Sequence, residues 1–162
     1  MTLLDHGRVV ADRWTLIADD AKVPTDQPAL ISLDRLRAEA LGDRAAPLGV
    51  LVGPAVAADA IADVLPILAL VAVEFPRFRD GRGFTLARTL RERYYFAGEI
   101  RAAGHVLPDQ HRFLLRCGFT SVAVPDDADL GVWISALGRF HLAYQTAIED
   151  DLPLRRRLGA GR

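Results

Sequence analysis

Two runs in the middle of this chain leave few folds open: "PLGVLVGP" at 47–54 and "ALVAVEF" at 69–75. Both are short and apolar, without the alternation that marks a half-buried strand. A strand that is apolar on both sides must be covered on both faces, which is the condition of a parallel sheet. Such a sheet needs a crossover between each pair of strands, and the intervening segments have helical patterns.

"PALISLDRLRAEAL" reads as a strand that turns into a helix, with Ser32 as N-cap, Leu33, Leu36, Ala40 and Leu41 at helical spacing, and Gly42 as the stop. "AVAADAIADVLPILA" predicts a helix that breaks near Pro66. "GFTLARTLRERYYF" predicts a helix with Leu86, Leu90 and Tyr94 on one stripe. "GEIRAAG" is a short strand, "LPDQHRFLLRCG" a helix opened by Pro108 and closed by Gly118, and "TSVAVP" a strand. "DADLGVWISALGRFHLAYQTAIE" completes the pattern as a helical region, and "DRWTLIAD" near the start alternates like a short edge strand. Strands therefore centre near residues 30, 50, 72, 100 and 122.

The expected fold class is α/β, a mostly parallel sheet of five or six strands built from βαβ units. An open sheet is favoured over a partial barrel, because so few strands cannot close an eight-stranded ring. The 162 residues read as one domain over 1–154, with "RRRLGAGR" at 155–162 as a flexible tail.

Composition narrows the function classes. A net charge of −1 gives no global attraction to nucleic acid or membrane. One cysteine excludes an internal disulfide and any CxxC metal or dithiol site. No signal peptide is evident, and the longest apolar run, 64–73, is too short to span a bilayer and contains Pro66. A cytoplasmic location is expected. Positive charge is concentrated: nine Arg against four acids make residues 75–116 +5, while the six basic and eleven acidic residues of 1–74 give −5.

In parallel α/β folds, ligands meet the loops after the strands, which selects three segments. The first is "EFPRFRDGRGFTLAR", 74–88. Glu74 ends a strand, Asp80 is placed to fix the turn, and Gly81 and Gly83 are expected to allow close backbone approach or positive φ. A helix N-terminus follows, and Arg77, Arg79, Arg82 and Arg88 suit oxyanion recognition. The spacing is neither a Walker A loop nor GxGxxG. A turn of solvated Arg with Phe75, Phe78 and Phe84 as core plugs accounts for the same residues.

The second segment is "RAAGHVLPDQH", where Arg101 is read as ending a strand. His105 is a candidate acid/base group, while Asp109 and Gln110 sit in a first helical turn. Asp109 also has a plain role beside a helix dipole. His105 and His111 lack HExxH spacing, and no metal site is expected. The third is "VPDDADLG", whose Asp126, Asp127 and Asp129 read as helix caps. Cys117 reads as buried and structural, and Trp14 and Trp133 as core or interface anchors. The catalytic candidates are thus Glu74, His105 and Asp109, and the anion- or partner-binding candidates are Arg77, Arg79, Asp80, Gly81, Arg82, Gly83, Arg88, Arg101 and Gln110.

The run from Phe75 to Phe119 resembles a bacterial family, domain of unknown function nine-three-four. The carrying residues are Phe75, Pro76, Phe78, Asp80 to Thr85, Ala87, Arg88, Leu90 and Arg91. Further on they are Gly98, Glu99, Arg101, Gly104, Asp109, Gln110, Arg116, Cys117 and Gly118. This chain departs from the pattern at His105, where the family has an acid, and at Pro108, where it has a base. Members are usually encoded beside sulfite reductase and often labelled oxidoreductases of sulfite reduction, so the resemblance implies a place in assimilatory sulfur reduction. No flavin, haem or iron–sulfur motif is present, and no cofactor is expected. Three readings stay open: an accessory protein that binds an oxyanion or sulfite reductase, a stand-alone enzyme using Glu74 or Asp109 on an anionic substrate, and a dimeric scaffold built on Trp133.

Overall fold

The computed structural model describes residues 1–39, 44–139 and 147–148. Five strands lie where the apolar runs place them: β4 (Ala29–Ser32), β5 (Leu48–Val52), β6 (Leu68–Phe75), β7 (Glu99–Gly104) and β8 (Ser121–Val124). Three more precede them: β1 (Thr2–Asp5), β2 (Arg8–Val10) and β3 (Thr15–Leu16). Among the described residues the sheet therefore has eight strands rather than five or six, in the order β2-β1-β8-β7-β6-β5-β4-β3. From β3 to β8 every pair is parallel, while β1 is antiparallel to both β8 and β2. The β1–β2 hairpin escapes a periodicity search because its strands hold four and three residues. Its turn, His6-Gly7, has φ of 46° and 78°. Positive φ at both turn residues is the type I′ geometry that suits hairpin twist.

Among the described residues, the helices are α1 (Leu33–Ala38), α2 (Arg82–Glu92), α3 (His111–Arg116) and α4 (Leu130–Gly138). Ser32 caps α1 by accepting from the Arg35 N–H, and Asp129 caps α4 by accepting from Gly131 and Val132. The helix expected over 55–69 is instead two 3-10 turns, Ala58–Ile61 and Leu65–Ile67. Pro66 lacks the N–H that an α-helix needs and disfavours α geometry at the residue before it. The helix expected from Leu107 also opens with a 3-10 turn, Pro108–Gln110. Expectations for Ala40 to Gly42, for the final helix past Arg139 and for the tail at 155–162 lie outside the described residues.

Strands in sequential order, joined by crossovers of one hand, carry all their helices on one face. The main core shows this face: Ile31, Val50, Val73, Ile100 and Val122 from the strands meet Leu36, Ile61, Leu90 and Leu114 from the crossovers and Trp133 from α4. Trp133 is 4% exposed, so it is a core residue and not a dimer anchor. The other face holds a smaller cluster of Trp14, Leu30, Leu70 and Ala72.

Connectivity forces this second face to be concave. β2 and β3 are the opposite edges of the sheet, yet only residues 11–14 join them. Laid flat, seven inter-strand steps would separate the edges by about 33 Å. Five Cα steps reach about 18 Å at most. The sheet must curl, and it forms an open half-barrel, more curved than the expected open sheet. Residues 11–14 cross its mouth as a strap. Among the described residues, no helix is long and apolar enough to cross a membrane.

Candidate functional site

The Arg-rich segment lies at the C-terminal end of β6, as expected. Phe75 ends the strand and is buried against Phe84 and Phe119, with ring centroids 5.3 and 5.9 Å away. The chain then turns tightly, with the Asp80 N–H donating to the Arg77 carbonyl at 3.0 Å. Asp80 closes the turn. Its Oδ1 accepts from the Arg82 backbone N–H at 3.2 Å and from Arg82 Nε at 2.9 Å, and its Oδ2 accepts from Arg82 Nη2 at 2.6 Å. These Arg82 hydrogen bonds hold the Asp80 carboxyl below its usual range, at about 2. A helix N-terminus attracts anions, and here the chain supplies one itself.

The two glycines differ: Gly83 provides the close approach expected, and Gly81 provides neither that nor positive φ. Gly81 has φ of −75° and open space where a Cβ would stand. Gly83 lies inside α2, where a Cβ would come within 2.7 Å of the Phe75 ring. Its role is to let α2 lie close on β6, and neither residue has positive φ.

The second loop braces the first. Gly104, at φ 90°, runs against the Phe75 backbone, and the His105 N–H donates to the Phe75 carbonyl at 2.7 Å. Gln110 bridges the two loops: its Oε1 accepts from the Leu107 N–H at 3.0 Å and its Nε2 donates to the Phe78 carbonyl at 2.9 Å. His105 meets the Phe78 ring edge-on at 5.6 Å, and the Arg79 guanidinium lies 5.3 Å from the same ring. Phe78 is 37% exposed, so it is not the core plug expected. The result is a fixed, exposed rim of Arg77, Phe78, Arg79 and Arg82. Arg77 and Arg79 make no ion pair among the described residues. Arg82 also faces an open groove of about 360 Å³ with Pro54, Asp59, Thr85 and Thr89.

Two of the grouped Arg residues are elsewhere. Arg88 is on the exposed side of α2, paired with Glu92 at 2.9 Å. Arg101 does not end its strand. It stands in the middle of β7 with its side chain on the concave face and 4% exposed. Glu74, His105 and Asp109 are exposed, and among the described residues no hydrogen bond joins any two of them.

Sequence reasoning missed the constellation around Arg101. Its Nη1 and Nη2 donate to the two Asp12 oxygens at 2.8 and 3.1 Å. Its Nε donates to Glu99 Oε1 at 3.0 Å. Glu99 also accepts from Ser121 Oγ at 2.6 Å and from Trp14 Nε1 at 3.2 Å. Beside these groups lies a cavity of about 270 Å³, walled by Leu3, Val10, Arg13 and Thr120 among others. Glu99 and Ser121 begin their strands, so this cavity lies toward the opposite end of β7 from the rim. One signal was available: in "GEIRAAG" two charges alternate on one side of a strand that a parallel sheet must bury, so both need partners.

Other candidates are structural. His111 is buried, with Nδ1 3.0 Å from the Trp133 carbonyl. Burial pushes the Cys117 thiol up, against a smaller downward pull from Arg88 and Arg116. Asp126 holds the N-terminal ammonium at 2.9 Å. Among the described residues, no group of three His, Cys, Asp or Glu is placed to hold a metal ion.

No curated protein and no solved structure matches this chain. The family model described as "Bacterial protein of unknown function (DUF934)" matches residues 49–155. That stretch runs from β5 past α4 and carries the rim, its Gln110 brace, and the Glu99 and Arg101 pair. With 107 of 162 residues matched, the chain belongs to this bacterial family, DUF934.

Proposed function

We propose that this protein is an accessory factor of assimilatory sulfite reduction that docks on an acidic patch of sulfite reductase through its Arg77–Arg82 rim. One observation carries the reading: the strand-end Arg residues form a braced, exposed surface around Phe78. Arg and aromatic side chains on a rigid support are what protein interfaces use as anchors. A substrate clamp needs converging groups inside a cleft, and Arg77 and Arg79 stand exposed instead. The sulfur pathway comes from the family resemblance and not from the geometry. Sulfite reduction needs a redox cofactor, and in this proposal the reductase supplies it.

The test is interferometry against the cognate reductase. Charge reversal in Arg77→Glu/Arg79→Glu is expected to weaken binding at least about tenfold, mainly by slowing association, and added salt is expected to mimic it in the parent. Equal affinity of parent and double variant removes the docking role. Calorimetry with sulfite and sulfate runs beside it: micromolar binding that Arg82→Ala abolishes would favour an oxyanion site at the rim instead.

A further inference from the structure

We propose that Asp12 is the tethered occupant of a carboxylate-binding site built around Arg101, and that a short aliphatic monocarboxylate exchanges with it. The site lies toward the other end of β7 from the rim and does not depend on the docking reading.

Arg101 is prepared for such a ligand before Asp12 arrives. Glu99 holds its Nε and one Nη at 3.0 and 2.9 Å, and Ser121 and Trp14 hold Glu99. The guanidinium is thereby locked with its outer edge toward the strap, and a planar fork of this kind matches a carboxylate in two parallel bonds. Asp12 fills that position at 2.8 and 3.1 Å.

The occupant is the more exposed partner, and apart from Arg101 the Trp14 backbone N–H also donates to its Oδ1, at 3.0 Å. Asp12 keeps 35% of its side-chain exposure, against 4% for Arg101. Ala11 and Arg13 on either side are exposed, and the flanking strands have three and two residues. Trp14 is the anchor, buried against Leu30, Leu70 and Ala72. In the proposed exchange the stretch 11–13 lifts away while Trp14 stays in place, giving up the Trp14 N–H bond to Asp12 together with the two from Arg101. Segments with few buried contacts open at low free energy.

Charge and shape select the ligand class. Asp12 and Glu99 together carry one negative charge more than Arg101, and a monoanion that replaces Asp12 preserves that count. A divalent sulfate adds a further negative charge to a wall that holds Glu99 and Asp5, with Arg13, among the described residues, the one other cation in the cavity wall besides Arg101. The cavity of about 270 Å³ next to the Arg101 fork has Leu3, Val10 and Trp14 in its wall, which accommodates a short alkyl chain behind the carboxylate. Its volume excludes a large cofactor.

The experiment is a titration with sodium butyrate at constant ionic strength, followed by the NMR shifts of the Trp14 indole N–H and the Arg101 Nε–H. A tethered competitor acts at a local concentration of order millimolar or higher. Asp12→Ala is therefore expected to bind butyrate at least about tenfold more tightly than the parent, and sodium sulfate is expected to bind neither. Adding Arg101→Met to Asp12→Ala is expected to abolish the shifts. If Asp12→Ala does not fold, Asp12→Asn, which keeps one acceptor on Arg101, takes its place under the same criterion. Equal affinity of variant and parent, binding that survives Arg101→Met, or sulfate binding as well as butyrate overturns the proposal.

Discussion

Gly81 and Gly83 are two residues apart in one loop-to-helix junction, yet they do different things. A Cβ at Gly83 would meet the Phe75 ring at 2.7 Å and Val73 at 3.1 Å, both part of the packed core. Gly83→Ala is therefore expected to lower stability by about 1–3 kcal/mol through overpacking. Gly81 has ordinary helical φ and open space around it. Gly81→Ala restricts the unfolded chain without straining the folded one and is expected to be neutral or to raise stability by up to about 1 kcal/mol. Urea midpoints of the two variants check both; a destabilised Gly81→Ala would mean that the turn needs a freedom its φ does not show. Asp80 explains why this turn is not a phosphate loop: its carboxylate already takes the place an incoming anion would seek.

At the scale of elements, α2 is held at both ends by different chemistry. Its first turn is seated by Gly83 and by Phe84 against Phe75. Its last turn is held by Arg91, whose guanidinium donates to the carbonyls of Phe96, Gly98 (2.8 Å) and Gly118 (2.9 Å). Arg91 thus ties the helix end to the entry of β7 and to the end of α3. Those carbonyls lie where chain reversals leave no ladder partner, and unpaired polar groups there are costly. Arg91→Met is expected to cost about 2–4 kcal/mol, and Arg91→Lys to recover less than half of it, since an ammonium lacks the fork that reaches separate acceptors. Thermal or urea unfolding measures both, and full rescue by Lys would show that charge alone suffices. Several residues of the family run, Gly83, Arg91, Gly98, Gly104 and Gly118, thereby have packing or carbonyl-holding roles, and the run is in large part the grammar of the β6–α2–β7 unit and the α3 that follows it.

For the whole molecule, the strap at 11–14 decides the shape. It draws together two edges that a flat sheet would hold far apart, and Trp14 is its apolar fastening. Trp14→Ala is expected to cost about 3–5 kcal/mol, as for other large-to-small changes in a core. It is also expected to speed amide exchange at Thr15 and Ile17, whose N–H groups bond to the Pro28 and Leu30 carbonyls. Exchange unchanged at these amides while distant strands loosen would place the fastening elsewhere. Both candidate anion positions, at the α2 N-terminus and at Arg101, are occupied by carboxylates of the chain itself.

Much of this was legible in the chain. Non-alternating apolar runs require a covered parallel sheet, and β4 to β8 lie where those runs stand, because burial on both faces imposes a composition that any single strand displays. The strand-end location of the Arg loop follows from the same logic, and so do the caps Ser32 and Asp129, which act within one turn of backbone. Tertiary structure alone decided the rest. The strand at 15–16 showed only as a short alternating segment, and the four- and three-residue strands of the β1–β2 hairpin are too short to leave a pattern, so the curl and the strap were invisible. Of the partners of Arg101, Glu99 shows in the alternation along β7, but Asp12 comes from a strap nearly ninety positions earlier in the chain, and a contact of that kind has no local period to betray it. Charge order along the sequence put Arg82 and Arg101 in one basic segment; alternation along β7 turned Arg101 to the concave face, because successive side chains of a strand point to opposite sides.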